Sequence, residues 1–527
     1  MATGASGGQS RNLILAAMIF AVSMTFIDQT IVSIAAPEVQ RELHLTSTGV
    51  QWAINAYLIS LAALFAFGGR LADTVGHRKM VTLGVIVFAS ASALCGLTPR
   101  GSLAQAWIVT FRVVQGAGGA IMFPAALAIV VQTFALRERG RALAIFFGIA
   151  GGLTAIGPIL GGFLTQWTWR AIFWVNIPVA LIALLLIMLS RPTTEYRPAR
   201  MDYRGLALIA AGVGLSVFGF QQSAVWGWGN PATGICVAIG AIILVVFYFV
   251  ELNTESPLIE VSIFRIRPFL VQNIVLAISM LVFVPVFFFA SEYAQLGLGK
   301  TPSEAGELLL YFFIGFVIAA QVGGRMLDRI GAKRPVVLGC AIAAVGFYLW
   351  AEQVTGLKFS SQQIDIIVAG AGMGMMLGPA NTDAINRASR LSYGEATGIT
   401  QTVRNYSASL GLAILGTILV SQMRSRVTTS LVAQGLSQAR AHAQASSLAQ
   451  SHAGGAVSAI PHFIRLDFAY STRSVLLVMA GIMAAAVVAV LGLRRGVQQE
   501  ASTEGAPAPA ARAEPQGAPR PQPSGSA

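Results

Sequence analysis

Fourteen stretches of this chain run for 18 residues or more almost free of charge, and nothing else constrains its fold as tightly. They lie near 13–36, 49–71, 80–98, 103–131, 141–165, 170–190, 205–224, 232–251, 269–291, 306–327, 335–352, 364–385, 396–421 and 471–493. At about 1.5 Å of rise per residue, each can cross a hydrocarbon layer of about 30 Å, with tilt taking up differences in length. Only 11% of the 527 residues are charged and 55% are hydrophobic, against about 25% charged in a typical soluble protein. The expectation is an all-α integral membrane protein.

The net charge of +13 invites a nucleic-acid reading, but its distribution opposes one. With the N-terminus inside, 21 of the 35 Lys and Arg fall on the N-terminal segment, the inner loops and the end of the last span, and ten fall outside. That bias places both termini in the cytoplasm. The partners implied are a lipid bilayer and no nucleic acid. The first span is too long for a cleavable signal and contains Asp28. Cys95, Cys236 and Cys340 sit in apolar runs, and the five histidines form no ligand pattern, so no metal or cofactor is expected.

A charged, glycine-bearing phrase occurs twice. "GGRLADTVGHRKM" begins at Gly68 and "GGRMLDRIGAKRP" at Gly323, 255 positions later, with Gly69/Gly324, Arg70/Arg325, Asp73/Asp328 and Gly76/Gly331 also identical. Both fall on inner loops, after the second and tenth spans. Setting aside spans seven and eight leaves six spans before and six after, so the chain reads as two related halves with an inserted pair. The divisions expected are a cytoplasmic segment 1–12, a first bundle 13–190, an insertion 191–260, a second bundle 261–495 and a disordered tail 496–527. Within the second bundle, 422–470 reads as a long outer loop bearing a surface helix or cap. "FGFQQSAVWGWGNP" reads as a short outer hairpin with interfacial Trp226 and Trp228.

Several phrases carry a family likeness. "GRLADTVGHRK" is similar to the inner-loop signature G-x-x-x-D-R-x-G-R-R, with Thr74 and His77 replacing basic residues, while the second copy keeps Arg329. "FIDQTIVSIAAP", "RVVQGAGGA", "GPILGG" and "WRAIFWVNIPV" are similar to signatures of the first, fourth, fifth and sixth helices, with departures at Ser33, Leu153 and Ala171. Together the chain resembles the fourteen-helix drug:proton antiporter branch of the major facilitator superfamily (the EmrB/QacA type) over about residues 12–495. The resemblance implies two pseudo-symmetric six-helix bundles plus two inserted helices, and alternating-access export.

The residues give each motif a physical reading. Gly69 and Gly76 permit a sharp turn, and Asp73, Arg78, Asp328 and Arg329 read as an inner gate; a simple positive-inside topology signal is the alternative for Arg78 and Lys79 but does not explain Asp73. Gly157, Pro158, Gly161 and Gly162, the antiporter signature, permit close helix packing and a kink. Asp28 is the one carboxylate deep within a span, where a charge is expensive and a proton readily held. Counted from the outer ends of their helices, Asp28 and Arg112 lie at a common depth of roughly 12–14 Å, so a pair shared with Gln115 is expected. It serves either proton coupling or permanent structure. Arg404, with Gln401 and Asn405 nearby, serves a substrate or a helix contact, with Asp383 as a possible partner. Glu292, just after Phe287–Phe289, is expected at the wet outer end of its helix, and with Gln29, Asn55 and Tyr57 completes a candidate substrate cavity.

"GLGKT" (Gly297 to Thr301) lacks the first glycine of a phosphate loop, which removes the basis for an ATP-driven pump. The expected function is a non-enzymatic, proton-coupled exporter of amphiphilic drugs or antibiotic-like metabolites, acting as a monomer. An importer or uniporter on the same fold, and a non-transporting scaffold or sensor, are the alternatives.

Overall fold

Two threonines 255 residues apart open equivalent helices. In the computed structural model, which describes residues 4–192, 201–388, 393–450 and 461–491, the Thr46 hydroxyl accepts the Gly49 amide at 3.0 Å, and Thr301 forms a capping box with Glu304. The helices they open end at Gly76 and Gly331, whose φ of 110° and 76° suit glycine. Thr301 and Lys300 of the phosphate-loop lookalike are thus a helix cap and the partner of Glu304, at 2.7 Å.

The helices are α1 Gly4–Leu43, α2 Ser47–Val75, α3 His77–Gly96, α4 Ala104–Thr133, α5 Leu136–Trp167, the single turn α6 Ala171–Trp174, and α7 Asn176–Ser190. They continue with α8 Tyr203–Trp226, α9 Pro231–Leu252, α10 Arg267–Glu292, α11 Pro302–Ile330, α12 Lys333–Gln353, α13 Gln363–Asn386, α14 Tyr393–Ala433, α15 Gln438–Gln450 and α16 His462–Leu491. With α6 and α7 counted as one span and α15 set aside, 14 are long and apolar enough to cross a membrane. No strand occurs among the described residues.

The repeat extends into packing. A Cβ on Gly68 would overlap the Ala120 carbonyl of α4, and one on Gly323 would overlap the Met375 carbonyl of α13, again 255 residues on. Pro124 and Pro379 occupy matching places in α4 and α13. Glycine here removes the side chain that would hold two helix backbones apart. The inserted α8 and α9 pack as a hairpin, Gly212 against Leu244 and Gly240 against Ser216, with α8 lying on both α2 and α14. Ile239, Ile242, Val245 and Phe249 of α9 face outward, as a lipid-facing surface requires. Trp226 and Trp228 flank Gly227 at the hairpin's turn and are exposed.

Arg11 pairs with Glu138 at 3.4 Å where α1 and α5 begin, and Lys333 Nζ donates to the Leu491 carbonyl at 3.1 Å where α16 ends. We refer to this side as the terminal face and to the opposite side as the far face. The far-face stretch 422–470, expected as an outer loop bearing a surface helix or cap, is largely helix among its described residues. α14 continues to Ala433, and α15 returns along it with Ala441, Ala445 and Ala449 buried. Arg424 and Arg426 break the apolar run in sequence, but Val427 and Leu431 keep a buried face on α14. Residues 1–3, 193–200 and 451–460, and the tail at 496–527, lie outside the described residues.

Candidate functional site

Asp28 on α1 and Arg112 on α4 meet inside the first bundle. Arg112 Nη1 donates to Asp28 Oδ2 at 2.5 Å and to Gln115 Oε1 at 2.8 Å. Gln115 Nε2 closes the triangle by donating to Asp28 Oδ1 at 2.8 Å. Gln115 follows Arg112 by three residues, so both side chains leave one face of α4. Arg112 Nε donates to the Ala53 carbonyl of α2 at 2.9 Å, and the Tyr57 ring lies 4.3 Å from the guanidinium carbon. Asp28 and Arg112 are each 1% exposed. Both carboxylate oxygens have a donor, as a charge at this depth requires.

The same turn of α1 packs against the Gly-Pro segment of α5. Proline at 158 has no amide to give the Thr154 carbonyl, and Thr30 Oγ1 supplies that hydrogen bond at 3.1 Å. Gly157 admits the Thr30 side chain and Gly161 admits Ile31. On its other side α5 meets the second half. A Cβ on Gly162 would stand 2.8 Å from the Pro302 carbonyl oxygen, one on Gly306 would stand 2.5 Å from that of Pro158, and Gln166 Nε2 donates to Ser303 Oγ at 2.8 Å. Toward the terminal face, Cβ positions on Gly148 and Gly152 of α5 and Gly324 of α11 meet nothing within 4 Å. This pair of helices therefore closes at the far face and parts toward the terminal face.

The two copies of the repeated phrase differ in their contacts. Asp73 Oδ1 lies 3.1 Å from His77 Nε2, across the turn at Gly76. This joins two consecutive helices of one half and does not reach the other half. Gly69 rests against Pro124, Arg78 is half-buried, and Arg70 Nη2 donates to the Pro257 carbonyl at 3.0 Å. Gly69, Arg70, Asp73 and His77 share a cavity of about 210 Å³ with Pro257 and Glu395. Asp328 and Arg329 are exposed and make no ion pair among the described residues.

Three expectations need correction. Glu292 is not wet but 2% exposed, with Oε2 unpartnered. The chain beyond it is covered: Gln295 Nε2 donates to the Ile34 carbonyl at 2.9 Å, and Arg465 Nε of α16 donates to the Gly297 carbonyl at 2.9 Å. Asp383 is not the partner of Arg404. It accepts from Arg387 Nε at 2.7 Å and Gln272 Nε2 at 2.6 Å, while Arg404 Nη1 donates to Gln401 at 2.7 Å.

Nor do the cavity candidates assemble around Asp28, apart from Tyr57. Asn55 donates to Gln221 Oε1 at 2.5 Å and accepts from Ser409 at 3.0 Å, joining α2, α8 and α14. Asn405 bonds the Gln401 carbonyl within α14, and Gln29 is half-buried one position from Asp28. Thr30 and Gln221 carry contacts that the motifs did not single out. Pro158, which gives no amide to the carbonyl four residues before it, is the one sequence signal that leads to Thr30.

A buried ion pair between helices of one half, with α5 and α11 of the two halves meeting through glycines and 14 described helices long and apolar enough to cross a membrane, is the arrangement of a helical membrane protein. The chain matches the Major Facilitator Superfamily over residues 18–412, and it belongs to that family. It is 34% identical over 417 residues to the tetracenomycin C resistance and export protein of Streptomyces glaucescens, across 78% of this chain and 76% of that one. It is 32% identical over 418 residues to the puromycin resistance protein pur8 of Streptomyces alboniger, across 77% and 80%. A bacterial homologue of the human lysosomal transporter Spinster, solved inward-facing and unoccupied, shares the fold with a TM-score of 0.59 at 18% identity, across 92% and 97%.

Proposed function

We propose that this chain is a proton-coupled exporter of amphiphilic drugs or antibiotic-like metabolites, exchanging inward-moving protons for outward-moving substrate by alternating access. It sits in the cell membrane with the terminal face in the cytoplasm and works as a monomer, the polar cluster being complete within one chain. The names of the relatives, which describe resistance and export, support the substrate class. The arrangement of Asp28 against Arg112 and Gln115 is the observation that carries the coupling.

Protonation of Asp28 removes the charge that Arg112 neutralises and turns one of its two accepting oxygens into a donor. Arg112 then retains Gln115, the Ala53 carbonyl and the Tyr57 face. The turn of α1 that carries Asp28 also carries Thr30 and Ile31, which lie on Gly157 and Gly161. A shift of that turn therefore acts on α5, and through Gly162 and Pro158 on α11 of the other half. The deep charges in this arrangement favour neutral, monocationic or anionic substrates. Asp73, with its counterpart Asp328, belongs to the terminal gate. Transport into proteoliposomes under an imposed pH gradient, with a panel of such compounds, tests the reading. Uptake independent of the gradient in every case would overturn the coupling.

A further inference from the structure

Outside the two bundles, where α8 begins and α9 ends, a half-buried carboxyl, Asp202, adjoins a buried one, Glu251. Asp202 caps α8, its Oδ1 accepting the Gly205 amide at 2.9 Å. Glu251 lies one residue before the end of α9 and is 2% exposed. Its Oε2 accepts the Ile259 amide at 3.0 Å. The other oxygen of each, Asp202 Oδ2 and Glu251 Oε1, is buried without a hydrogen-bond donor. Both crowd one residue, since a Cβ on Gly205 would overlap either oxygen. That Cβ would stand within 2.5 Å of both Glu251 Oε1 and Asp202 Oδ2, so the two oxygens adjoin each other at Gly205, yet as carboxylates neither can donate.

Two adjoining carboxylates in a buried site repel, and a single proton between them turns repulsion into a hydrogen bond. We propose that Asp202 and Glu251 hold one proton between them, a protonation site separate from Asp28. It belongs to the inserted hairpin and has no counterpart in the repeat. The charged groups on the elements packed around it are Arg70 and Asp73 of α2, Arg204 of α8, Glu255 and Glu260 of the connection after α9, Arg265 of the following turn, and Glu395 of α14, an acid that brings no positive charge. Arg70 donates to the Pro257 carbonyl, Asp73 lies against His77, and no ion pair found among the described residues involves Asp202 or Glu251. The proton is thus what relieves the pair.

The consequence reaches the gate. The Glu251–Ile259 bond seats the connection from Asn253 onward, whose Pro257 carbonyl accepts from Arg70 and whose Pro257 to Glu260 segment walls the cavity holding Gly69, Asp73 and His77. Loss of the proton places two like charges under that seat and loosens it.

Infrared difference spectroscopy of the purified full chain across a pH titration tests this without any transport assay, so its failure is separable from failure of the coupling reading. The expected result, in a chain carrying Asp28→Asn and Glu292→Gln so that neither of those carboxyls contributes, is a protonated-carboxyl carbonyl band that disappears as pH rises and is absent once Glu251→Gln is added. The amide in Glu251→Gln still accepts from Ile259 and can donate to Asp202. Should that variant fail to fold, Asp202→Asn, which keeps the cap acceptor, must lose the same band. The labelling rate of a thiol placed by Glu255→Cys, in a chain carrying Cys236→Ser and divided by that of a free thiol at the same pH, should rise with pH, and Glu251→Gln should flatten that rise. Carboxylate bands alone at every pH, or a band surviving in Glu251→Gln, would overturn the shared proton. A band abolished by a divalent cation at constant pH would make the pair a cation site and overturn it equally. A labelling ratio that ignores pH while the band titrates would overturn the link to the gate.

Discussion

Thr30 of α1 donates its hydroxyl to the Thr154 carbonyl of α5 at 3.1 Å, supplying the hydrogen bond that Pro158 cannot make. The proline-bearing turn of α5 is thereby tied to the turn of α1 that carries Asp28. A Thr30→Val substitution keeps the shape and removes the donor. It should cost about 0.5–1.5 kcal/mol, the net worth of a lost hydrogen bond, and slow uphill transport, with Thr30→Ser close to the parent. Thermal unfolding and gradient-driven uptake measure both. Unchanged values for Thr30→Val would remove the link.

Asp28→Asn should abolish uphill transport while the protein still inserts and folds, since the amide is nearly isosteric and cannot titrate. Asp28→Glu should keep partial coupling, because the acid survives at a displacement of about one methylene. The measurement is pH-gradient-driven transport by purified, folded variants. Parental uphill rates in Asp28→Asn would make the carboxylate structural.

Arg112 and Asp28 should be coupled in stability as well. Arg112→Gln alone leaves a buried carboxylate with one donor and should cost about 3–5 kcal/mol. Adding Asp28→Asn removes the stranded charge and should recover much of that loss. A double-mutant cycle in denaturant unfolding would read the interaction directly, and strictly additive losses would argue against it.

Gly162→Val should oppose closure of the far face, because even its Cβ would stand 2.8 Å from both the Pro302 carbonyl oxygen and the Ser303 Cα. Gly152→Ala meets open space in the same structure and should be tolerated in this conformation. Thiol labelling of a Ser303→Cys reporter should accelerate in the first variant and not in the second. Equal labelling in both would show that Gly162 is not at a closing contact.

Asn55→Leu should destabilise more than Asn405→Leu. Asn55 satisfies Gln221 of α8 and Ser409 of α14 together, whereas Asn405 bonds a carbonyl of its own helix. A loss of about 1–3 kcal/mol is expected for the first, from two buried groups left with fewer partners. Similar thermal stability for the two variants would contradict the three-helix role of Asn55.

Much of this protein is written in one dimension. Apolar length marks the fourteen spans, because lipid offers no partner to a bare peptide group and each crossing must be a helix. The offset of 255 between the glycine-bearing phrases marks the duplication, and it carries through to Thr46 and Thr301 and to Pro124 and Pro379. Depth along a helix is also linear in residue number, which is why Asp28 and Arg112 could be set at one level from the sequence.

Lateral neighbours are another matter, and only packing decided them. The level of Asp383 and Arg404 left their pairing open, and Arg387, one turn from Asp383, occupies it. Glu292 stands at the end of its helix in sequence, yet Gln295 and Arg465 tie the chain just beyond it to α1 and α16, so it is buried. Asp202 and Glu251 are 49 residues apart, and no spacing rule brings them together. The α8–α9 hairpin does so by returning the chain to the same face, with Gly205 leaving room for both carboxyls. Hydrophobic pattern fixes which residues enter the membrane and how deep they sit, whereas the azimuth of each helix and its choice of neighbour are set by contacts among side chains distant in sequence.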